Sequence, residues 1–244
     1  RAAGALNVSV LGNLKFDATP NPAQQAQAGQ WRAALAGRPV VMLASSREGE
    51  EAQLLKNIRL PAPEQPAPAA IKNEVIAEPL WLIVPRHPQR FGDVAGMAEA
   101  EGLRVARRSQ WSDAPPPDAA QADVWIGDSL GEMSLYYSLA DVALLGGSFE
   151  PLGGQNLIEA AACGCPMLMG PHTFNFAQAA EWAEAQGAAR RVPDMAAAVT
   201  AARSLVADSA ARVAMQAAGR QFAAAHRGAA ARTAQAIAEL LGDK

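Results

Sequence analysis

Short, continuous apolar runs recur along this chain, each followed by a longer, alanine-rich stretch of helical character. Val40-Val41-Met42-Leu43-Ala44, Leu80-Trp81-Leu82-Ile83-Val84, Val124-Trp125-Ile126, Val142-Ala143-Leu144-Leu145 and Pro166-Met167-Leu168-Met169 read as buried strands. Residues 103–106 and 189–192 are weaker strand candidates. Helical stretches fall near residues 22–36, 48–58, 90–101, 131–139, 155–163 and 176–186. Strands that are apolar throughout, with helices between them, predict a parallel sheet covered on both faces. Right-handed crossovers then make a doubly wound, Rossmann-like α/β domain. After Pro193 the pattern is helical only, with breaks near Asp208 and Gly228. These helices are expected to pack on the sheet or to cross to a partner domain.

The 244 residues are half apolar and 18% charged, which suffices to cover such a sheet as one large domain. A net charge of -3 argues against a nucleic-acid partner. No apolar run is long enough to span a bilayer, and no signal peptide is expected. The start at Arg1, without methionine, reads as a truncation. Cys163 and Cys165 form Cys-Gly-Cys between a helix and a strand, which suits small, reduced packing residues of a cytosolic protein. A redox pair is expected as Cys-x-x-Cys at a helix start. Four prolines within residues 61–68, and Pro115-Pro116-Pro117, predict exposed irregular loops.

Ligands of open α/β sheets bind outside the carboxyl ends of the strands, so the residues following each strand carry most of the functional information. Ser45-Ser46-Arg47-Glu48-Gly49-Glu50-Glu51 places hydroxyls and carboxylates near a helix start, which by itself reads as an N-cap with acidic first-turn residues. Pro85-Arg86-His87-Pro88 holds an arginine whose planar fork suits a phosphate or carboxylate. His87 either donates to a ligand or caps the turn. Gly127-Asp128-Ser129-Leu130-Gly131-Glu132-Met133 suggests a tight turn with amides facing a ligand, or a plain loop capped by Asp128 or Ser129. The most informative stretch is Gly146-Gly147-Ser148 through Pro151-Leu152-Gly153-Gly154-Gln155-Asn156-Leu157-Ile158-Glu159. Gly146 and Gly147 permit close approach to a strand end, and Ser148 adds a hydroxyl. Gly153 and Gly154 are expected to open a helix whose free N–H groups attract an anion. Glu159, one turn on, is placed for vicinal sugar hydroxyls.

No Gly-x-x-x-x-Gly-Lys-Ser/Thr and no Gly-x-Gly-x-x-Gly after the first strand are present, which weighs against a P-loop NTPase and a dinucleotide dehydrogenase. Acidic metal-binding clusters and His-x-x-x-His are absent as well. A nucleotide-sugar site held by amides, hydroxyls, an arginine and a glutamate remains.

These motifs, together with Gly12-Asn13-Leu14-Lys15-Phe16-Asp17 and Gly170-Pro171-His172-Thr173-Phe174-Asn175-Phe176, resemble in order and spacing the 3-deoxy-D-manno-octulosonic acid (Kdo) transferases. The resemblance covers nearly the whole chain but only the C-terminal half of that family. It implies the donor-binding domain of a GT-B glycosyltransferase, with residues 1–20 as the interdomain connection and 21–244 as the nucleotide-sugar domain. It also implies inverting, metal-independent transfer of Kdo from CMP-Kdo to the lipid A precursor. The full-length enzyme would lie peripherally at the cytoplasmic face of the bacterial inner membrane. The family's acidic base belongs to its N-terminal domain, so no catalytic residue is expected here and the fragment is expected to be inactive alone.

Carried over by position, Gly127, Asp128, Ser129, Gly131, Glu132 and Met133 would hold the cytidine, and Glu159 the ribose. Gly147, Ser148, Gly153, Gly154 and Asn156 would surround the phosphate. Arg86 would meet the phosphate or the Kdo carboxylate, which Lys15 could also reach. Ser45, Ser46 and His87 complete the expected donor site. Ser46-Arg47 stands where the family more often has Thr-His, Gln155 where it has His, and Ala160 where it has Pro. The competing expectations are a GT-B enzyme of the nucleotide-sugar 2-epimerase kind, preferring UDP, and a non-catalytic interaction domain.

Overall fold

The computed structural model describes residue 4, residues 8–59 and residues 77–242. The proline-rich stretch 61–68 lies outside them. Among the described residues, seven strands form one parallel sheet: β1 (Val40–Ser46), β2 (Leu80–Pro85), β3 (Val105–Arg107), β4 (Val124–Ile126), β5 (Val142–Leu145), β6 (Met167–Met169) and β7 (Ala189–Arg191). Their order is β3-β4-β2-β1-β5-β6-β7. Every expected strand is present, including the two weaker ones.

Alternate residues of each strand feed two separate cores. Val40, Met42 and Ala44 of β1 face one, and Val41 and Leu43 face the other. This is why the runs are apolar throughout. The first core lies under α1 (Pro22–Ala34), α4 (Met133–Leu139), α5 (Ile158–Cys163), α6 (Ala177–Ala185) and part of α8 (Ser209–Ala225). The second lies under α2 (Glu50–Ile58), α3 (Phe91–Ala100) and α7 (Met195–Ala207). The breaks expected near Asp208 and Gly228 separate α7, α8 and α9 (Ala229–Gly242). Asp208 caps α8 by accepting from the Ala211 N–H at 2.9 Å.

α9 buries only Ala229, and Ile237, Leu240 and Leu241 stand exposed. Asp17 accepts the N–H groups of Gly228 and Ala230 at its start, tying the entry segment to this helix. Pro116 and Pro117 are exposed as expected, whereas Pro115 is buried.

Two local departures shape the site. β1 slips register against β2 between Ala44 and Ser46. Ser45, within that slip, adopts φ 53°, a left-handed conformation uncommon outside glycine. Opposite it, a Cβ on Gly146 would stand 2.5 Å from the Ser45 carbonyl oxygen and 2.6 Å from that of Ala44. Only glycine fits there.

Candidate functional site

Because all the strands are parallel, their carboxyl ends share one edge. The chain leaves β1 toward β2 and returns on the other side of β1 with β5. Such a switch point opens a crevice for a ligand.

The first turn of α2 is the hub of this edge. Its N-cap is Gly49, at φ 92° and with no side-chain cap bond. The expectation that a serine caps this helix is therefore corrected: both serines still belong to β1, which ends three residues before the cap. The Ser46 hydroxyl donates to Glu51 at 2.8 Å, and the Arg90 guanidinium donates to the same carboxylate at 2.6 Å. Glu50 turns the other way and accepts the backbone N–H groups of Arg47 (2.9 Å), Gly147 (2.8 Å) and Phe149 (3.0 Å). Both glutamates are fully buried at a helix start, where the dipole favours negative charge. Burial nevertheless pushes Glu50 above the usual carboxylate range.

Around the β5 turn, Gly147 thus spends its N–H on an internal carboxylate. Ser148, fully buried, donates to the Leu145 carbonyl and accepts the Gly170 N–H at 2.8 Å, joining the ends of β5 and β6. Gly154 donates to the Gly147 carbonyl at 2.7 Å, and the Gly153 carbonyl accepts the Asn175 N–H at 3.0 Å. A Cβ on Gly153 would come within 2.3 Å of Asn175 Nδ2.

The two glycines do not open a helix, which corrects the expected start of α5 from about residue 155 to Ile158. Their φ angles of 89° and 78° hold the chain outside helical geometry. Asn156 then makes the entry, its Oδ1 accepting the Ile158 N–H at 3.1 Å. Asn156 Nδ2 donates to Glu159 at 3.0 Å, so the half-buried Glu159 keeps one oxygen toward the segment that leads into α5.

The β4 turn is held by arginines. Asp128 accepts from Arg107 (2.8 Å) and from the Ser109 N–H and hydroxyl (both 2.7 Å). Glu132 receives the Arg108 fork at 2.9 and 2.8 Å, together with the Ser129 hydroxyl and Tyr136. Neither Asp128 nor Ser129 caps α4, whose N-cap is Glu132, without a side-chain cap bond. Gly131 (φ 78°) makes the turn, and Met133 is half-buried beside the first core.

At the β2 turn, the Arg86 N–H donates to the Ser46 carbonyl at 3.0 Å. Its exposed guanidinium makes no hydrogen bond or ion pair with a described residue. His87 holds the cap position of the following 3-10 turn but makes no side-chain cap bond. Tyr137, wholly buried in α4, is pushed well above the usual phenol range by burial and then by Glu159, with Arg86 pulling the other way. Lys15 Nζ lies 4.4 Å from the centroid of the Phe176 ring, beside Phe174 and Asn175, the two residues that crowd Gly153. There it lines a cleft of about 670 Å³ with Phe174, Trp182 and His226.

A second cleft, of about 690 Å³, lies at the opposite, amino ends of the strands, beside Leu35, Arg38, Trp81 and Asp123. Arg38 there spends its donors on the carbonyls of Glu78, Pro79, Ala120 and Ala122, which leaves it little capacity for a ligand. Burial pushes the Cys163 thiol up to about 11 and holds that of Cys165 well above its ordinary value, as suits protonated packing residues. Sequence reasoning passed over Glu50, Arg90, Arg107, Arg108, Tyr136 and Tyr137. Of these only the adjacency of Glu50 and Glu51 to a helix start was a usable signal.

The sheet order, the two cores and the polar edge at the switch point define a Rossmann-like domain of the GT-B glycosyltransferase type. Solved structures share the fold: Anabaena HepE in complex with UDP and glucose superposes with a TM-score of 0.57 at 12% identity, over 96% of this chain and 55% of HepE. More specific is the C-terminal CMP-Kdo binding domain of WaaA from Acinetobacter baumannii, with a TM-score of 0.70 and 28% identity over 83% of this chain and 98% of that one. Among curated proteins, the 3-deoxy-D-manno-octulosonic acid transferase of Bordetella pertussis is 48% identical over 241 residues, 98% of this chain and 53% of the relative. That of Haemophilus influenzae is 34% identical over 170 residues, 69% of this chain and 36% of the relative. No protein-family model matches. The chain is thus a relative of the Kdo transferases, spanning about half the length of the Bordetella protein.

Proposed function

We propose that this chain is the part of a Kdo transferase that binds CMP-Kdo, at the carboxyl edge of its sheet. The observation that carries the reading is an exposed Arg86 at that edge, without a hydrogen bond or ion pair to a described residue, in a chain alignable to nearly all of the WaaA domain. Arg86 takes the donor phosphate or the Kdo carboxylate through its fork. Gly153, Gly154 and Asn156 line the phosphate, and Glu159 accepts from the ribose hydroxyls. The β4 turn, stiffened by Arg107 and Arg108, holds the cytosine.

Bond breaking at the anomeric carbon leaves the electron pair on CMP, and Arg86 offsets the added charge without a metal. The acceptor is the lipid A precursor, and deprotonation of its hydroxyl is assigned to the portion of the relatives that this chain does not span. Residues 21–244 form the donor domain and 1–20 its connection, and the whole enzyme works at the cytoplasmic face of the inner membrane. Without that other portion the chain binds donor and transfers nothing.

Titration calorimetry tests this. CMP is expected to bind more tightly than UMP or UDP, and Glu159→Ala to weaken CMP about tenfold, the effect of one lost charge-assisted contact. Absence of CMP binding at millimolar protein would sink the reading. A preference for UDP would transfer it to the epimerase-like class.

A further inference from the structure

All three hydrogen bonds that Glu50 accepts come from main-chain N–H groups, of Arg47, Gly147 and Phe149. An anion seated on amides at the switch point is the arrangement that nucleotide-binding sheets offer to a phosphate. Here the chain supplies that anion itself. We propose that Glu50 is a positioning residue for the donor: it pre-fills the switch-point amides, locks the Gly147–Phe149 turn against β1, and thereby sends the donor phosphate to the Gly153–Asn156 segment and Arg86. The proposal rests on the donor-binding reading above.

The locked turn is linked directly to that segment. The Gly147 carbonyl receives the Gly154 N–H at 2.7 Å, and Gln155 Nε2 lies 3.2 Å from where a Cβ on Gly147 would stand. Behind the turn there is no slack, since Gly146 already sits against the carbonyls of Ala44 and Ser45. Glu51, next in sequence, grips Arg90 beyond the β2 turn. One turn of α2 therefore fixes the segments on both sides of β1, and the two glutamates divide the work between them.

Glu50→Gln isolates this role at nearly constant volume. One carboxylate oxygen accepts from Arg47 and Gly147 and the other from Phe149. The single oxygen of glutamine serves one side, and its NH₂ then meets an N–H donor on the other. Leu35→Ala serves as a comparison: it empties a buried position at the amino ends of the strands, away from the turns.

Two measurements decide the matter. Amide hydrogen exchange of the unliganded chain is expected to quicken at Gly147 or Phe149 in Glu50→Gln, beyond any general change, and not selectively in Leu35→Ala. CMP affinity is expected to fall about tenfold in Glu50→Gln and by less than about twofold in Leu35→Ala. Unchanged exchange at both amides overturns the clamp, and so does equal loss of CMP affinity in the two variants. If the unmodified chain binds no CMP, the donor reading falls and with it the positioning role. The exchange data then report on the internal anion alone.

Discussion

Two regions of the same sheet hold their carboxylates in opposite ways. At the β3–β4 edge, Arg104, Arg107 and Arg108 pair with Asp123, Asp128 and Glu132, cation against anion. At the β1–β5 switch point, Glu50 has amides only. Charged pairs fix a turn through side chains, which have room to rearrange. Amides fix it through the backbone, which has little. The β4 turn should therefore tolerate change better than the β5 turn.

The sharpest way to break this contrast is a pair of glycine substitutions. Gly146→Ala drives a methyl into two backbone carbonyls at 2.5 and 2.6 Å, and should cost more than about 3 kcal/mol in urea unfolding, above the usual overpacking range. Next comes Arg108→Ala. It strips the fork from a Glu132 whose side chain is 18% exposed, and should cost about 3 kcal/mol. Arg108→Lys should recover only part of that, because an ammonium cannot present two parallel donors.

Gly127→Ala should cost less, about 1–2 kcal/mol. Its nearest obstacles are the side chains of Val84 and Tyr136, at 2.8 and 3.0 Å. A loss equal to that of Gly146→Ala would reverse the comparison.

The smallest effect is in the acid titration. Hydrogen bonding to Arg104 holds Asp123 below its ordinary value of 3.8, so its contribution is present above that pH and is lost as pH falls below it. The pair is exposed, and Asp123→Asn should remove about 0.5 kcal/mol at neutral pH. Glu50, raised above 4.5, has the opposite sign: its contribution is full below that pH and is lost as pH rises through the folded-state value. The differences between the unmodified chain and Asp123→Asn, and between it and Glu50→Gln, should slope in opposite directions with pH. Parallel slopes would mean that the two regions are held in the same way.

What was legible in the sequence follows from the range of each interaction. Runs such as residues 40–44 and 80–84 declare buried strands because every residue has an apolar neighbour above or below. The four polar turns were legible because glycine, proline and arginine act locally. The start of α5 was misplaced because the pair of glycines looked like a helix opening, whereas Asn156 makes that turn. The three arginines of the β3 edge carried no pattern, since their partners lie 19 to 24 residues away. Glu50 was visible only as an acidic residue at a helix start. Nothing local announces that it will meet Gly147.

That separation, 97 positions along the chain, has a consequence in time. As the polypeptide is synthesised, α2 appears long before its partner, and at about 5–20 residues per second the delay is roughly 5–20 s. Through that interval Glu50 has no amides of β5 to bind and stays in water. The clamp at the switch point therefore comes into being only when β5 slots in beside β1.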